Sequence, residues 1–203
     1  MSNSQSSCRN SKSLLVLLGL SFFTNSAFSQ RPRPYPVVPD NGFRAAVDSG
    51  TRTMTGVPGP KYWQNTADYK IRARVLPELK RIEGRVGITY RNNSPDTLRT
   101  IRVSLLQNVH GKVAMRVVPM EVTEGYQLNS VIANGERLVQ GGRSGPRYIV
   151  NATSLIIFPP TPVAPKSSAT LEIDFAYKVP QSGISGRMGY DTDSLFYFAY
   201  WYP

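Results

Sequence analysis

The chain has 203 residues, 40% of them hydrophobic and 18% charged, so it can bury the core of one ordinary domain. It carries 24 Lys and Arg against 13 Asp and Glu, a formal charge of +11. With one Cys, Cys8, and one His, His110, the 203 residues can form neither an internal disulfide nor a two-histidine zinc site. The 16 Gly, 16 Pro, 11 Tyr and 8 Phe favour short strands joined by tight turns over a helical bundle.

Residues 1–29 have the pattern of a secretory signal peptide. Two cations precede an apolar run at residues 14–23, and small residues at 27 and 29 precede a cleavage site before Gln30. A ten-residue apolar run is short of the roughly 20 residues that span a bilayer as a helix, so an uncleaved membrane anchor is the weaker alternative. We therefore predict export to a periplasm or to the cell exterior.

Residues 30–60 are predicted to be a Pro/Gly-rich linker. Four prolines at positions 32, 34, 36 and 39 favour an extended, semi-rigid spacer, with a recognition peptide for a proline-binding module as the alternative. Residues 40–60 show no clear period, so we expect loop or irregular structure there. The β domain is predicted to span residues 61–203.

From residue 69 onward, apolar and polar side chains alternate with the period of two that is typical of strands. The predicted strands cover residues 69–75, 82–90, 101–105, 127–133, 148–150, 154–158 and 169–179. Residues 76–80 are predicted to form a hairpin connection, residues 92–96 a turn, and Asn134-Gly135 a tight turn. The sequence therefore predicts an all-β fold, an antiparallel β-sandwich or saddle-shaped sheet pair.

Few side chains in the chain offer catalytic chemistry. His110 follows a predicted strand, where a lone histidine is more typical of a solvated or capping residue than of a general base. The glycine-rich residues 141–145 lack a following helix, so a flexible hairpin loop is favoured over a phosphate-binding loop. The residues alone support no enzyme and no catalytic residue.

The first predicted strand places Lys70, Arg72 and Arg74 on one face. Further cations could extend this face across neighbouring strands: Arg81, Arg85, Arg91, Arg99 and Arg102. A nucleic-acid surface would need aromatic side chains between the cations, and here the aromatics fall mainly on the opposite face. We expect no nucleic-acid partner, but a solvated face that could dock an acidic neighbour or an anionic envelope surface.

Several short segments, most of them rich in aromatic residues, carry a resemblance to a known family. They are Gly59-Pro60-Lys61-Tyr62-Trp63-Gln64-Asn65, Ala67-Asp68-Tyr69, Ile88-Thr89-Tyr90, residues 92–98, Arg187-Met188-Gly189-Tyr190 and Tyr197-Phe198-Ala199-Tyr200-Trp201-Tyr202-Pro203. Over residues 59–203 the chain resembles the N-terminal β domain of exported bacterial aminopeptidase N-like zinc metallopeptidases, which are gluzincins. The last cluster resembles the segment that leads from this domain toward the catalytic domain.

The resemblance implies a hydrolase whose zinc site, H-E-x-x-H plus a downstream Glu, lies outside this chain. The chain itself then needs no cofactor, and zinc is implied only for a full-length relative acting on a peptide substrate. In the family, polar residues near the end of the β domain help to bind the free α-amine of the substrate, and Tyr200 and Tyr202 occupy the corresponding stretch. Relatives tend to have Gln or Glu there, whereas a Tyr offers a hydroxyl and no carboxylate, and ordinary aromatic packing is the alternative role.

Residues 195–203 contain six aromatic side chains and no charge. We expect this run to form an exposed apolar patch that the missing or separate catalytic domain would cover. The sequence thus predicts a non-catalytic N-terminal β domain of an aminopeptidase-like metallopeptidase, inactive as an isolated fragment, which supports a catalytic domain and helps to form its substrate cleft. The alternative is a stand-alone envelope binding or scaffold module.

Overall fold

A computed structural model describes residues 38–112, 114–182, 186–192 and 194–203. The predicted signal peptide and the first part of the predicted linker lie outside these residues. The elements in chain order are α1 (Asn41–Asp48), β1 (Thr66–Leu76), β2 (Arg81–Arg91), β3 (Ile101–Ser104), β4 (Gln127–Ala133), β5 (Glu136–Arg137), β6 (Val139–Gln140), β7 (Arg147–Asn151), β8 (Ser154–Phe158), β9 (Ser168–Lys178), β10 (Gly189–Asp191) and β11 (Leu195–Tyr197). Short 3-10 turns lie at Pro77–Leu79 and Leu106–His110.

The strands form two main sheets and one small hairpin. The larger sheet has the order β1-β2-β9-β4-β5 and is antiparallel throughout, and the second sheet has the order β3-β8-β7-β6. Strands β10 and β11 pair with each other. The prediction of an all-β fold with antiparallel sheets is therefore confirmed. Within the described residues no helix is long and apolar enough to cross a membrane.

The core lies between the two sheets and follows the predicted period of two. Strand β9 is the central strand of the larger sheet, and its alternate side chains from Ala169 to Tyr177 are all buried. The facing side chains of the second sheet include Leu155 and Ile157, which are fully buried on β8. Apolar residues that recur at every second position thus give each sheet one buried face, and burial of these faces is the main stabilising contribution.

Most of the predicted connections are also confirmed. The 3-10 turn at Pro77–Leu79 joins β1 to β2 as a hairpin, and left-handed Asn134 and Gly135, with φ of 50° and 82°, join β4 to β5. A type I′ turn, in which both central residues have positive φ, matches the twist of the strands that it connects. This is why the dipeptide Asn-Gly predicts a hairpin turn strongly.

Three expectations are wrong. Residues 41–48, inside the expected irregular segment, form α1, because the side chain of Asp40 caps the helix by accepting a hydrogen bond from the Phe43 N–H at 2.9 Å. Residues 141–145 do not form a hairpin: they connect β6 and β7, which pair in parallel. The alternation of β1 predicts a half-buried strand, but its apolar face is largely exposed, because β1 lies beyond the buried core and the second sheet does not cover it.

Candidate functional site

A cleft opens at the side of the sandwich where the edge strands β1 and β3 face each other. Its volume is about 390 Å³, and residues of β1, β2, β3 and the C-terminal segment line it. Tyr200 and Tyr202, the two positions predicted from the family resemblance, both belong to its lining and are 42% and 40% exposed. The fold therefore brings these two side chains to one cleft.

The polypeptide turn that presents Tyr200 is held by two buried side chains. Gln107 Nε2 donates to the carbonyl oxygen of Tyr200 at 3.0 Å, and the hydroxyl of Tyr126 donates to the same oxygen at 3.3 Å. Tyr200 has a φ of +55°, a left-handed conformation that is uncommon for a residue with a side chain. Because two donors converge on its carbonyl, the fold fixes this backbone conformation against its intrinsic cost.

Tyr202 lies against a second tyrosine of the cleft. Its ring meets the ring of Tyr69 edge-on at 5.7 Å and that of Trp201 at 5.1 Å. Partial burial, with a smaller contribution from Tyr202, raises the pKa of Tyr69 above its ordinary value. Tyr69 therefore keeps its phenolic proton at neutral pH and can donate a hydrogen bond into the cleft.

The cleft offers hydroxyl groups and aromatic surface but no carboxylate. Its charged lining side chain is Arg102, and the hydroxyl of Tyr90 already accepts a hydrogen bond from Asn65 Nδ2 at 2.7 Å. No side chain of the lining is a nucleophile paired with a base.

His110 lies away from this cleft and is fully buried, so the expectation of a solvated or capping histidine is wrong. Its Nδ1 lies 2.9 Å from the carbonyl oxygen of Glu121, which only accepts, so Nδ1 carries the proton. The other nitrogen, Nε2, is buried without a hydrogen-bond partner among the described residues. The ring anchors the segment after the 3-10 turn and has no carboxylate to orient it as a base.

The described residues do not fit a zinc ion. They contain no group of three or more His, Cys, Asp or Glu side chains placed to hold a metal, and the one imidazole has its Nε2 enclosed in the core. A catalytic zinc takes three protein ligands.

The C-terminal aromatic run is only partly exposed. Phe198 and Trp201 pack against the core, and Pro203 is buried, whereas Leu195, Tyr197, Tyr200 and Tyr202 face solvent. The run therefore forms the expected exposed apolar patch only in part. The alternation arises because the segment lies along the opening between the sheets and presents successive side chains to opposite sides.

Sequence reasoning did not identify Gln107, Tyr126 or Tyr69 as part of the site. Gln107 and Tyr126 act on a residue 93 and 74 positions away, and Tyr69 follows the period of an ordinary buried strand face. No local pattern distinguishes a glutamine that holds a distant carbonyl from one that is solvated. Only the long-range pairing of the segments reveals their role.

No family model matches the chain, and no curated protein matches it. Among solved structures, it is similar to an M1 zinc metallopeptidase from Deinococcus radiodurans, with 19% identity and a TM-score of 0.42 over 66% of this chain and 25% of that one. It is also similar to a mutant of a two-domain M1 zinc metallopeptidase bound to L-arginine, with 18% identity and a TM-score of 0.40 over 63% of this chain and 24% of that one. The chain thus spans about a quarter of the length of these enzymes.

Proposed function

We propose that this chain is the non-catalytic N-terminal β domain of an exported aminopeptidase-like zinc metallopeptidase. It supports a catalytic domain, carried by a longer chain or by a separate one, and contributes one wall of the substrate cleft. The aromatic clusters that resemble this family span residues 59–203 in family order. The two sheets built from these residues form an antiparallel sandwich of the kind that the resemblance implies.

The observation that carries the proposal is the arrangement of the C-terminal segment in the open side of the sandwich. Gln107 and Tyr126 hold its backbone at Tyr200, and the segment leaves Tyr200 and Tyr202 exposed beside Tyr69, which is 47% exposed. Exposed aromatic side chains on a fixed backbone are suited to contact with a second domain or a ligand, since little conformational entropy is lost on binding.

In this proposal Tyr200 and Tyr202 help to bind the free α-amine of a peptide substrate. The Tyr202 hydroxyl oxygen accepts a hydrogen bond from an ammonium group, and the rings of both tyrosines attract it through cation–π interaction. The Tyr200 hydroxyl already accepts a long hydrogen bond from Arg187 Nη1 at 3.5 Å, so Tyr200 contributes mainly through its ring. The hydrolytic groups would come from the catalytic domain. A tyrosine cannot supply the ion pair that a glutamate would, so we expect weaker discrimination for a free amino terminus than in relatives with an acid there.

The test is reconstitution. The DNA that follows the codon for Pro203 is read for an H-E-x-x-H motif in any frame, and the encoded segment is produced separately and mixed with this chain. We expect no zinc binding and no hydrolysis of aminoacyl p-nitroanilides by the chain alone, and hydrolysis by the mixture. Tyr200→Ala and Tyr202→Ala should raise KM, whereas Tyr197→Ala, an exposed tyrosine of the same segment outside the cleft lining, should not.

A chain that binds stoichiometric zinc and is active by itself would contradict this proposal. So would a mixture that fails to associate, which would favour a stand-alone envelope binding or scaffold module. Export is tested separately: protein purified from the native host should begin near Gln30, and a cytosolic product that retains residues 14–23 would contradict it.

A further inference from the structure

Strand β1 presents a long open edge. It has eleven residues and pairs with β2 over its whole length in an uninterrupted register, from Thr66 opposite Arg91 to Leu76 opposite Arg81. No described strand pairs with its other side. The other outer strands of the two sheets, β3, β5 and β6, have four, two and two residues. Among the described residues, β1 is therefore the one edge long enough to accept a full additional strand.

Of the features that usually protect an edge strand, β1 has only charged side chains, which all point outward. It contains no proline and no bulge, and no charged side chain points inward from it. Its inward face instead carries apolar side chains that remain in solvent, with Tyr69 47% and Val75 38% exposed. An added strand would gain backbone hydrogen bonds and apolar contacts along this face.

The outward face of β1 is basic and incompletely neutralised. Arg74 pairs with Glu83 at 3.3 Å, and Asp68 pairs with Arg91 at 3.6 Å. Lys70 and Arg72, between them on the same face, form no ion pair within the described residues. These two cations flank a groove of about 520 Å³ that extends across Gly87, where the absence of a side chain leaves space.

These charges do not favour a second copy of this chain at the edge. In the full-length antiparallel pairing, which is centred on Ile71, Lys70 of each copy would face Arg72 of the other, and like charges directly opposite each other are destabilising. Asp68 would face Arg74 in the same register, but both of these side chains already have partners within the sheet. A register centred on Tyr69 would set Asp68 opposite Lys70, but it would leave the last four residues of β1 unpaired. An acidic strand would instead neutralise Lys70 and Arg72.

We propose that β1 binds an extended segment of a partner protein as a sixth strand of the larger sheet. The segment alternates apolar with acidic side chains, so that its apolar residues pack beside Tyr69 and Val75 and its carboxylates face Lys70 and Arg72. This surface shares Tyr69 with the cleft that contains Tyr200 and Tyr202, but strand addition at the β1 edge does not require the amine-binding role proposed for those two residues.

The experiment uses the mature chain and synthetic peptides of about ten residues, a common length for a strand. One peptide alternates glutamate with valine, a second has the same composition in scrambled order, and a third alternates lysine with valine. Binding is measured by calorimetry, and hydrogen exchange reports on the amides of β1. Of the three peptides, we expect only the alternating acidic peptide to bind. Its binding should slow hydrogen exchange at the β1 amides that point away from β2, and exchange at the β5 amides should not change.

Two further arms distinguish an added strand from simple charge attraction. Two versions of the acidic peptide carry N-methyl groups on every second amide, one on the odd-numbered and one on the even-numbered amides. Alternate N–H groups of a strand point to the same side, so methylation of the set that faces β1 should abolish binding and methylation of the other set should leave it nearly unchanged. The double variant Lys70→Glu/Arg72→Glu should weaken binding about tenfold or more. The control, Arg99→Glu/Arg143→Glu, makes the same charge change at two exposed positions outside β1 and outside the lining of the cleft, and it should bind like the wild type.

Four results would overturn the proposal. They are equal binding of the scrambled peptide, equal binding of both N-methylated peptides, equal weakening by the two double variants, and no binding at all. Binding to phosphatidylglycerol vesicles that Lys70→Glu/Arg72→Glu abolishes, without binding of the acidic peptide, would assign the basic face to an anionic surface. A concentration-dependent dimer that protects β1 amides would assign the edge to a second copy.

Discussion

Gln107 and Tyr200, which are 93 positions apart, are joined by a 3.0 Å hydrogen bond from the side-chain amide of Gln107 to the main-chain carbonyl of Tyr200. Gln107 is 1% exposed and lies in the 3-10 turn that follows β3, whereas Tyr200 lies in the C-terminal segment. The bond ties the second sheet to the segment that closes the open side of the sandwich. It makes the position of the candidate site depend on a buried polar contact.

Gln107→Ala should therefore loosen the C-terminal segment. The substitution leaves a partly buried carbonyl with one donor instead of two, and we expect a loss of about 1 to 3 kcal/mol in the free energy of unfolding. Hydrogen exchange and limited proteolysis around residue 200 should accelerate. Tyr126→Phe removes only the second, longer bond and should cost about 1 kcal/mol. Unchanged protection of residues 198–203 in Gln107→Ala would show that aromatic packing alone holds the segment.

Asn92 should be among the most sensitive polar positions of the fold. Its fully buried side chain donates to the carbonyl oxygens of Asp96, Val163 and Ala164 and accepts from the main chain and hydroxyl of Ser94. Asn92→Ala leaves these buried groups without hydrogen-bond partners. We expect a loss of about 3 kcal/mol in the free energy of unfolding, measured with urea. The neighbouring Asn93→Ala removes one exposed bond to Gln64 and should cost about 1 kcal/mol or less. Similar costs for the two variants would contradict this account.

Two glycines of β2 should respond oppositely to alanine. A Cβ at Gly84 would lie 2.8 Å from Cζ of the buried Phe175, so Gly84→Ala forces the core to shift and should lose about 1 to 3 kcal/mol. At Gly87 the nearest atom to an added Cβ is the carbonyl oxygen of Lys70, at 3.7 Å. Gly87→Ala should therefore leave the free energy of unfolding unchanged or raise it by less than about 1 kcal/mol. Thermal unfolding of the two variants measures the difference. An equal loss in both would indicate that strand propensity, not packing, sets the cost.

The stability of the outer sheet face should depend on pH through Glu83. Hydrogen bonds from Arg81 and Arg74 hold the pKa of Glu83 below its ordinary value. A lowered folded-state pKa contributes stability above the unfolded-state pKa of about 4.3 and loses that contribution as pH falls through the folded-state value. The difference in stability between wild type and Glu83→Gln should be constant near neutrality, begin to shrink as the pH falls through about 4.3, and vanish only below the folded-state pKa of Glu83. As a control, Glu78→Gln removes an exposed carboxylate in the β1–β2 connection, and its stability should change with pH as that of the wild type does. A difference in stability between wild type and Glu83→Gln that persists in acid would contradict the charge-based explanation.

Local patterns were sufficient for most of the strands and turns. The strand period gave β2, β4 and β9 to within a few residues, and Asn134-Gly135 gave the turn between β4 and β5. These features depend on neighbours in sequence, because a turn needs its own dihedral angles and a strand needs its own alternation. The short helix α1 was missed because its eight residues are too few for the helical period to be recognised, although Phe43, Ala46 and Val47 lie on its less exposed face.

By itself, the sequence determined that this chain is an all-β domain with one buried face on each sheet and with no zinc site built from its one histidine. Only the tertiary structure decided which strand lies at an edge and which side chains meet at the cleft. The alternation in β1 resembles that of a buried strand, yet Tyr69 is exposed because the second sheet does not cover this face of β1 and a cleft opens between β1 and β3. Strand order and the contact of Gln107 with Tyr200 are set by pairings between distant segments, and periodicity within a segment carries no information about which partner covers its apolar face.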